Sequence, residues 1–229
     1  MFKPVQSKAL AEAIPAKYRA RDTAEGTAWF GFSTRARVVV YDKLKVKRED
    51  IDTYEKLADP KNKGRLCIRS GSHPYNLSLF GAVTEHLGEQ KAEQWLKGVV
   101  ANLARDPKGG DTDQIKAVGA GECQVAVSNT YYIARLMRST NPADRALVEK
   151  VGVVFPNQNS WGTHVNIAGG AVARHAKNPA AAPIGPPSMK PNAPPMIFPH
   201  QFIDPALAMP AFGNIQLSSG TYSHIKQYP

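Results

Sequence analysis

Short apolar runs alternate with amphipathic segments along most of the chain, which is the pattern of an α/β protein. Two of these runs, Leu66–Arg69 and Cys123–Ser128, have the length and the bounding turns of buried strands in a parallel sheet. Apolar residues at helical spacing predict helices over residues 76–87, 90–104, 112–120, 130–139 and 142–150. Longer extended segments are predicted at 29–41 and 161–167.

Two adjacent tyrosines, Tyr131 and Tyr132, lie between a predicted strand and a predicted helix. Asn129 or Thr130 is the expected N-cap, so both phenols lie at the positive end of the helix dipole, which favours the ionised form. Phenolates are hard oxygen ligands and suit a small, highly charged cation such as ferric iron. The alternative is that one ring packs in the core while the other is half exposed.

A third tyrosine occupies a similar position upstream. Pro74 suits the first position of a helix, and Tyr75 follows it directly, as Tyr131 follows the other cap. Ligands collect at the carboxyl ends of strands in open α/β sheets, so both helix starts can face one crevice. The alternative is two unrelated strand-to-helix turns. His73 is either a neighbour of the metal ligands or a solvated loop residue.

Six segments carry a resemblance to a known family: WFGFSTRARVVVYDK, NKGRLCIRSGSHPYN, LKGVVANLARDPKGGDTDQIKAVGAGEC, VAVSNTYYIARL, KVGVVFPNQ and GTHVNIAGGAV. Over roughly residues 1–182 the chain closely resembles the periplasmic ferric-ion-binding proteins of bacterial ABC importers. The resemblance implies an α/β fold of the periplasmic-binding-protein type, with two lobes joined by a hinge that closes on Fe3+.

The resemblance also implies which residues form the site. Tyr75, Tyr131 and Tyr132 match the tyrosines that the family uses as iron ligands on its second lobe. Arg35 matches the arginine that accompanies a synergistic anion such as carbonate, and Arg37 is the residue that can be confused with it. A trivalent ion acidifies a coordinated phenol, and a guanidinium can hold carbonate bidentately. Taken without the resemblance, either arginine is an exposed charge on a strand.

The domain boundaries follow from the same resemblance. Residues 1–40 correspond to a partial first lobe and a crossing strand, 41–156 to a nearly complete second lobe, and 157–182 to the return crossing strand and a first-lobe remnant. The family's first-lobe ligands and its export signal have no counterpart, so we expect a fragment with an incomplete first lobe. Residues 183–229 hold ten of the 18 prolines, which predicts an irregular tail without a packed core.

Charge and composition change this picture little. The net charge of +10 suggests nucleic acid, but the 29 Lys and Arg residues are scattered and not interleaved with aromatic residues, so we expect a solvated basic surface and no nucleic-acid partner. No apolar run is long enough to span a membrane. The sequence lacks a CxxC pair, a phosphate-binding glycine loop and a nucleophile elbow, so no enzyme is expected.

The two cysteines, Cys67 and Cys123, lie near the starts of the strands that lead to the tyrosine helices. If these strands are neighbours, a disulfide can form, which an oxidising periplasm allows. The alternative is a pair of small buried thiols.

The functional expectation is a monomeric periplasmic protein of an ABC transporter. It captures Fe3+ through tyrosinate ligands, with carbonate or a similar anion, and delivers the ion to a membrane permease. Two alternatives stay open: a protein of the same fold that binds another anionic or organic solute, and a nonfunctional fragment or basic nucleic-acid-binding module.

Overall fold

The computed structural model of the chain describes residues 2–177. The strands and helices in this part follow one another as β1 (Phe2–Lys3), α1 (Lys8–Ala13), β2 (Phe30–Asp42), β3 (Leu66–Cys67), α2 (Pro74–Leu87), α3 (Glu89–Ala101), α4 (Asp111–Ala120), β4 (Val125–Asn129), α5 (Thr130–Met137), α6 (Pro142–Glu149), β5 (Val151–Val154), β6 (Val165–Gly170) and β7 (Val172–Ala173). The predicted proline-rich tail at 183–229 lies outside the described residues.

The described chain divides into two compact units. The first contains residues 2–34 and 167–177, where β1 pairs antiparallel with β7. Its small core consists of Leu10, Ile14 and Phe30. Helix α1 begins after Ser7, whose hydroxyl accepts a hydrogen bond from the backbone of Leu10.

The second unit contains residues 35–166 and is built on a sheet with the strand order β3-β4-β2-β5. Strands β3 and β4 are parallel, whereas β2 is antiparallel to both of its neighbours, β4 and β5. Strand β6 pairs with β2 outside this order. The predicted parallel strands are therefore present, in a sheet that is mixed as a whole.

Both faces of this sheet are covered by helices, because alternate residues of its strands point to opposite sides. Val39 packs with apolar residues of α2 and α3, including Leu79 and Trp95. Val38 and Val40 pack on the other face with residues of α4, α5 and α6. The result is a three-layer α/β unit with a hydrophobic core on each side of the sheet.

The five predicted helices are present, and their ends differ from the predicted ones by at most three residues. The extended segment predicted at 161–167 is only partly present, because β6 begins at Val165. The backbone ahead of it turns: Asn157 has a φ of 61°, and its carbonyl accepts the amide of Gly162 at 2.8 Å. Helix α4 begins after the two glycines Gly109 and Gly110. Gly110 occupies the N-cap, while Asp111 is the first helical residue and is fully buried.

Cys67 and Cys123 form a disulfide, with Cα atoms 5.9 Å apart. The parallel pairing of β3 and β4 explains it, because Cys67 lies opposite Ala126, three residues beyond Cys123. Among residues 2–177, no helix is long and apolar enough to cross a membrane.

Candidate metal centre

Tyr75 is positioned by the first turn of α2. Pro74 opens the helix, and the Nδ1 atom of His73 accepts a hydrogen bond from the backbone of Tyr75 at 3.2 Å. The His73 ring also meets the Tyr75 ring edge-on, with centroids 4.5 Å apart. Burial and the charge of Arg69 lower the pKa of His73, which favours the neutral imidazole that this cap requires. The alternative of a simply solvated histidine is therefore wrong.

Tyr131 and Tyr132 are positioned by the junction of β4 and α5. Asn129 ends the strand and occupies the N-cap position without making a side-chain cap, and the tyrosines follow in the first turn. Their rings lie 4.1 Å apart and are tilted by 32°. Both tyrosines are half-buried, and Tyr132 packs against the core on the side of the sheet that α4, α5 and α6 cover.

The hydroxyl groups of these tyrosines converge. The Oη atoms of Tyr75 and Tyr131 are 3.2 Å apart, although the residues belong to different helices and are 56 positions apart in the chain. Tyr131 also shares a hydrogen bond with Tyr132. The two helix starts thus face one place at the edge of the sheet, as the carboxyl ends of the parallel strands β3 and β4 dictate.

The cluster contradicts one expectation, because the pKa of Tyr131 is raised and not lowered. Burial is the main cause, and the neighbouring phenols Tyr132 and Tyr75 raise it further. The helix dipole supplies only a partial positive charge, which lowers the pKa slightly. Ionising Tyr131 places a full negative charge in a partly buried position beside other phenol oxygens, and this raises the pKa more. A multivalent cation among the three oxygens would reverse this balance.

Three guanidinium groups surround the ring of Tyr75. Their central carbons lie 5.5 Å (Arg35), 5.9 Å (Arg37) and 5.3 Å (Arg69) from the ring centroid. Arg37 and Arg69 both pair with Asp111, whereas Arg35 makes no ion pair with any residue in 2–177. The Nε atoms of all three arginines are buried and have no hydrogen-bond partner within that part of the chain. Arg35 differs from the other two because its charge is not paired with Asp111.

Asp111 and Arg37 form a fully buried ion pair beneath the tyrosines. Nη1 of Arg37 lies 2.5 Å from Asp111 and 3.2 Å from the side chain of Asn129, and Nη2 lies 2.7 Å from the side chain of Asn76. The backbone amide of Asn129 donates to Asp111 at 2.8 Å. Because Asn76 follows Tyr75 and Asn129 shortly precedes Tyr131, the pair links both tyrosine-bearing helix starts.

Sequence reasoning missed this network. Asp111 looks like a helix cap, and its partner Arg37 is 74 residues away, so no local spacing reveals the pair. Within residues 2–177, no cluster of three or more His, Cys, Asp or Glu side chains could hold a metal ion.

The class of protein is now defined. The sequence profile of the bacterial extracellular solute-binding proteins matches residues 1–183, and the chain belongs to this family. The family consists of solute-binding proteins and not of enzymes. The predicted fold class is confirmed, because the structure matches those of periplasmic ferric-binding proteins.

Three relatives illustrate the likeness. Iron uptake protein A1 of Synechocystis sp. is 49% identical over 178 residues, which are 78% of this chain and 48% of the relative. A Trichodesmium protein in complex with iron and citrate is 49% identical, with a TM-score of 0.70 over 79% of this chain and 56% of that one. The ferric binding protein of Campylobacter jejuni is 42% identical, with a TM-score of 0.73 and the same coverage of 79% and 56%. The chain thus spans about half the length of the relatives it matches.

Proposed function

We propose that this chain belongs to a ferric-ion-binding component of a bacterial importer and that Tyr75, Tyr131 and Tyr132 are its iron ligands. The observation that carries the proposal is the 3.2 Å contact between the hydroxyls of Tyr75 and Tyr131, which come from two separate helices. Several relatives are named as iron-uptake or ferric-binding proteins, which supports the same ion.

The chemistry of the donors favours a trivalent ion. Three phenolates carry three negative charges and are hard oxygen ligands, which Fe3+ prefers over softer nitrogen or sulfur donors. Without a cation the phenol of Tyr131 stays neutral, because burial and the neighbouring phenols raise its pKa. Iron binding should therefore release protons and weaken as the pH falls, because protons compete with the ion for each phenolate.

Arg35 is proposed to hold an anion beside the iron. Its guanidinium lies 5.5 Å from the Tyr75 ring centroid and has a buried, unpartnered Nε within residues 2–177. A carbonate, or a carboxylate such as that of citrate, can pair with such a group and complete the coordination of the ion. Arg37 is unsuited to this role, because its side chain is fully buried and pairs with Asp111.

The role in transport is proposed from the family. A periplasmic solute-binding protein captures its ligand by hinge closure and delivers it to a membrane permease. In this chain the candidate ligands and Arg35 all lie in the unit of residues 35–166. We propose that this unit makes the first contact with the ion, that the protein acts as a monomer and that lobe closure completes the site.

Addition of ferric citrate to the purified chain tests the iron site. Tyrosinate-to-iron charge transfer should give a visible absorption band, and Tyr75→Phe, Tyr131→Phe and Tyr132→Phe should each weaken it by removing one phenolate. Tyr41→Phe is the matched control. Tyr41 lies on β2 opposite Gly152 of β5, near the end of the sheet away from the tyrosine cluster. Loss of its hydroxyl should therefore leave the absorption band unchanged.

Ligand-dependent melting separates this proposal from a protein for another solute. A ligand at 100 times its Kd raises the free energy of unfolding by about 2.7 kcal/mol, so a bound ion should shift the melting temperature measurably. Stabilisation by iron together with the absorption band supports the proposal. Stabilisation by an organic anion alone, with no band, would instead assign the site to that solute.

A further inference from the structure

The end of the sheet away from the tyrosines carries a row of basic residues. Arg65 precedes β3, Lys43 follows β2 and Lys150 precedes β5, while Gln124 precedes β4 between them. Backbone hydrogen bonds join this row: Gln124 donates to Arg65 at 2.9 Å, and Lys43 donates to Lys150 at 3.1 Å. At the usual spacing of strands the row is about 15 Å long. We call these residues, with Lys45, the basic edge.

An exposed leucine projects from the middle of the basic edge. The chain turns directly after β2, where the Asp42 carboxylate accepts the backbone amide of Leu44 at 2.9 Å and the Asp42 carbonyl accepts that of Val46 at 3.1 Å. This turn buries Val46, which is 5% exposed, and leaves Leu44 89% exposed. Lys43 and Lys45 flank this leucine and are themselves exposed. The tip therefore combines one large apolar side chain with cationic neighbours.

Most of the positive charge of the basic edge has no acidic partner. Within residues 2–177, Lys43, Arg65 and Lys150 make no ion pair, whereas Lys45 pairs with Asp42 at 3.8 Å.

The nearby acids mostly have partners of their own. Glu122 pairs with Arg105 and Lys108, and Asp50 pairs with Lys61. The exposed Glu149 is the acidic neighbour of Lys150 in the chain. A net positive charge thus surrounds Leu44.

We propose that the basic edge is a docking surface for an anionic phospholipid bilayer. An exposed leucine between two lysines fits the boundary of headgroups and acyl chains, where the leucine leaves water and the ammonium groups meet lipid phosphates. A nucleic acid or an acidic protein would use the same charges but would not require the leucine. The tyrosines lie at the other end of the strands, so a docked chain keeps its metal site uncovered.

Sedimentation with lipid vesicles in the absence of iron tests this inference independently of the iron site. The full chain should bind vesicles rich in phosphatidylglycerol, should not bind pure phosphatidylcholine, and should dissociate at high salt. Each lysine near an anionic surface contributes about fivefold to the partition coefficient, so Lys43→Ala with Lys150→Ala should lower it about 25-fold. Leu44→Ser should lower it about tenfold through the lost apolar burial.

Matched controls come from an exposed leucine and a paired lysine that do not belong to the basic edge. Leu77 is 55% exposed and lies on α2 two residues after Tyr75, and Lys97 pairs with Glu93, so Leu77→Ser and Lys97→Ala should leave vesicle binding unchanged. All these positions are on the surface, and circular dichroism checks that each variant is folded. Failure to bind phosphatidylglycerol vesicles at low salt would overturn the proposal. So would equal effects of Leu44→Ser and Leu77→Ser, or binding to heparin and vesicles alike without dependence on Leu44.

Discussion

The buried Asp111–Arg37 pair gives the sharpest test of how the fold holds the tyrosine cluster. Asp111→Asn keeps the shape of the side chain but removes its charge. The substitution leaves the fully buried guanidinium of Arg37 without its carboxylate partner, and Arg69, which is 3.2 Å from Asp111, loses the same partner. The backbone amide of Asn129 then also competes for a single carbonyl oxygen, because the new amide group is itself a donor.

The expected loss follows from the burial of the pair. Both side chains are 0% exposed, so water cannot solvate the remaining cation. Removing one partner of a buried ion pair costs about 3–5 kcal/mol, because the other charge stays buried without compensation. For a chain of this size, such a loss corresponds to a drop in melting temperature of about 10 °C. We also expect the iron absorption band to weaken, because Asn76 and Asn129 position the helix starts through Arg37.

Urea denaturation followed by tryptophan fluorescence measures the free energy of unfolding, and Trp95 reports from the core of the same unit. Glu93→Gln is the control, because the Glu93–Lys97 pair is exposed and its loss should not measurably change the denaturation midpoint. Replacing both partners, with Arg37→Met and Asp111→Leu, should recover part of the stability that Asp111→Asn loses. The reasoning is refuted if Asp111→Asn unfolds at the same urea concentration as the natural chain.

Two further predictions concern the disulfide and a buried histidine. Cys67→Ala with Cys123→Ala should lower the free energy of unfolding by about 4 kcal/mol, because the bridge closes a loop of 56 residues. Mass spectrometry after alkylation without reductant should detect no free thiol in the natural chain. Burial, with the charges of Arg37 and His86, lowers the pKa of His164 from 6.5 to about 4. The unfolded chain therefore binds the proton more readily than the folded chain, and the free energy of unfolding falls as the pH drops from 6.5 towards 4. Between pH 7 and pH 5, urea denaturation should show that the natural chain loses about 2 kcal/mol more than His164→Gln, and equal losses would contradict this.

Local patterns were sufficient to predict most of the second unit. Apolar periodicity, caps and turns predicted strands β3 and β4 and the five helices α2 to α6. These signals are properties of residues that are neighbours in the sequence. The position of Tyr75 after Pro74 is local in the same sense. The convergence of Tyr75 with Tyr131 needed one further rule, that the carboxyl ends of parallel strands meet at one edge.

Long-range contacts limited the prediction elsewhere. The role of Asp111 depends on Arg37 and Asn129, which are separated from it by 74 and 18 residues. The turn ahead of β6 depends on Asn157, which adopts a left-handed conformation while its side chain accepts the backbone amide of Tyr54 at 2.9 Å. A pattern of neighbouring residues does not contain these contacts. The raised pKa of Tyr131 also depends on the folded structure, because it arises from burial and from phenols on two helices.

The antiparallel direction of β2 explains why both edges of the sheet have their particular chemistry. The tyrosines follow the carboxyl ends of the parallel strands β3 and β4. Strand β2 runs the other way and starts to pair with β4 at that same edge, where Arg37 lies opposite Asn129, so Arg35 and Arg37 lie beside the tyrosines. A parallel β2 would have put these arginines at the far edge, away from Tyr75. The same reversal carries the end of β2, with Lys43 and Leu44, to the edge where β3 and β5 begin after Arg65 and Lys150. Because β2 is antiparallel to β4, it places arginines beside the proposed metal ligands and a lysine in the proposed bilayer-docking surface.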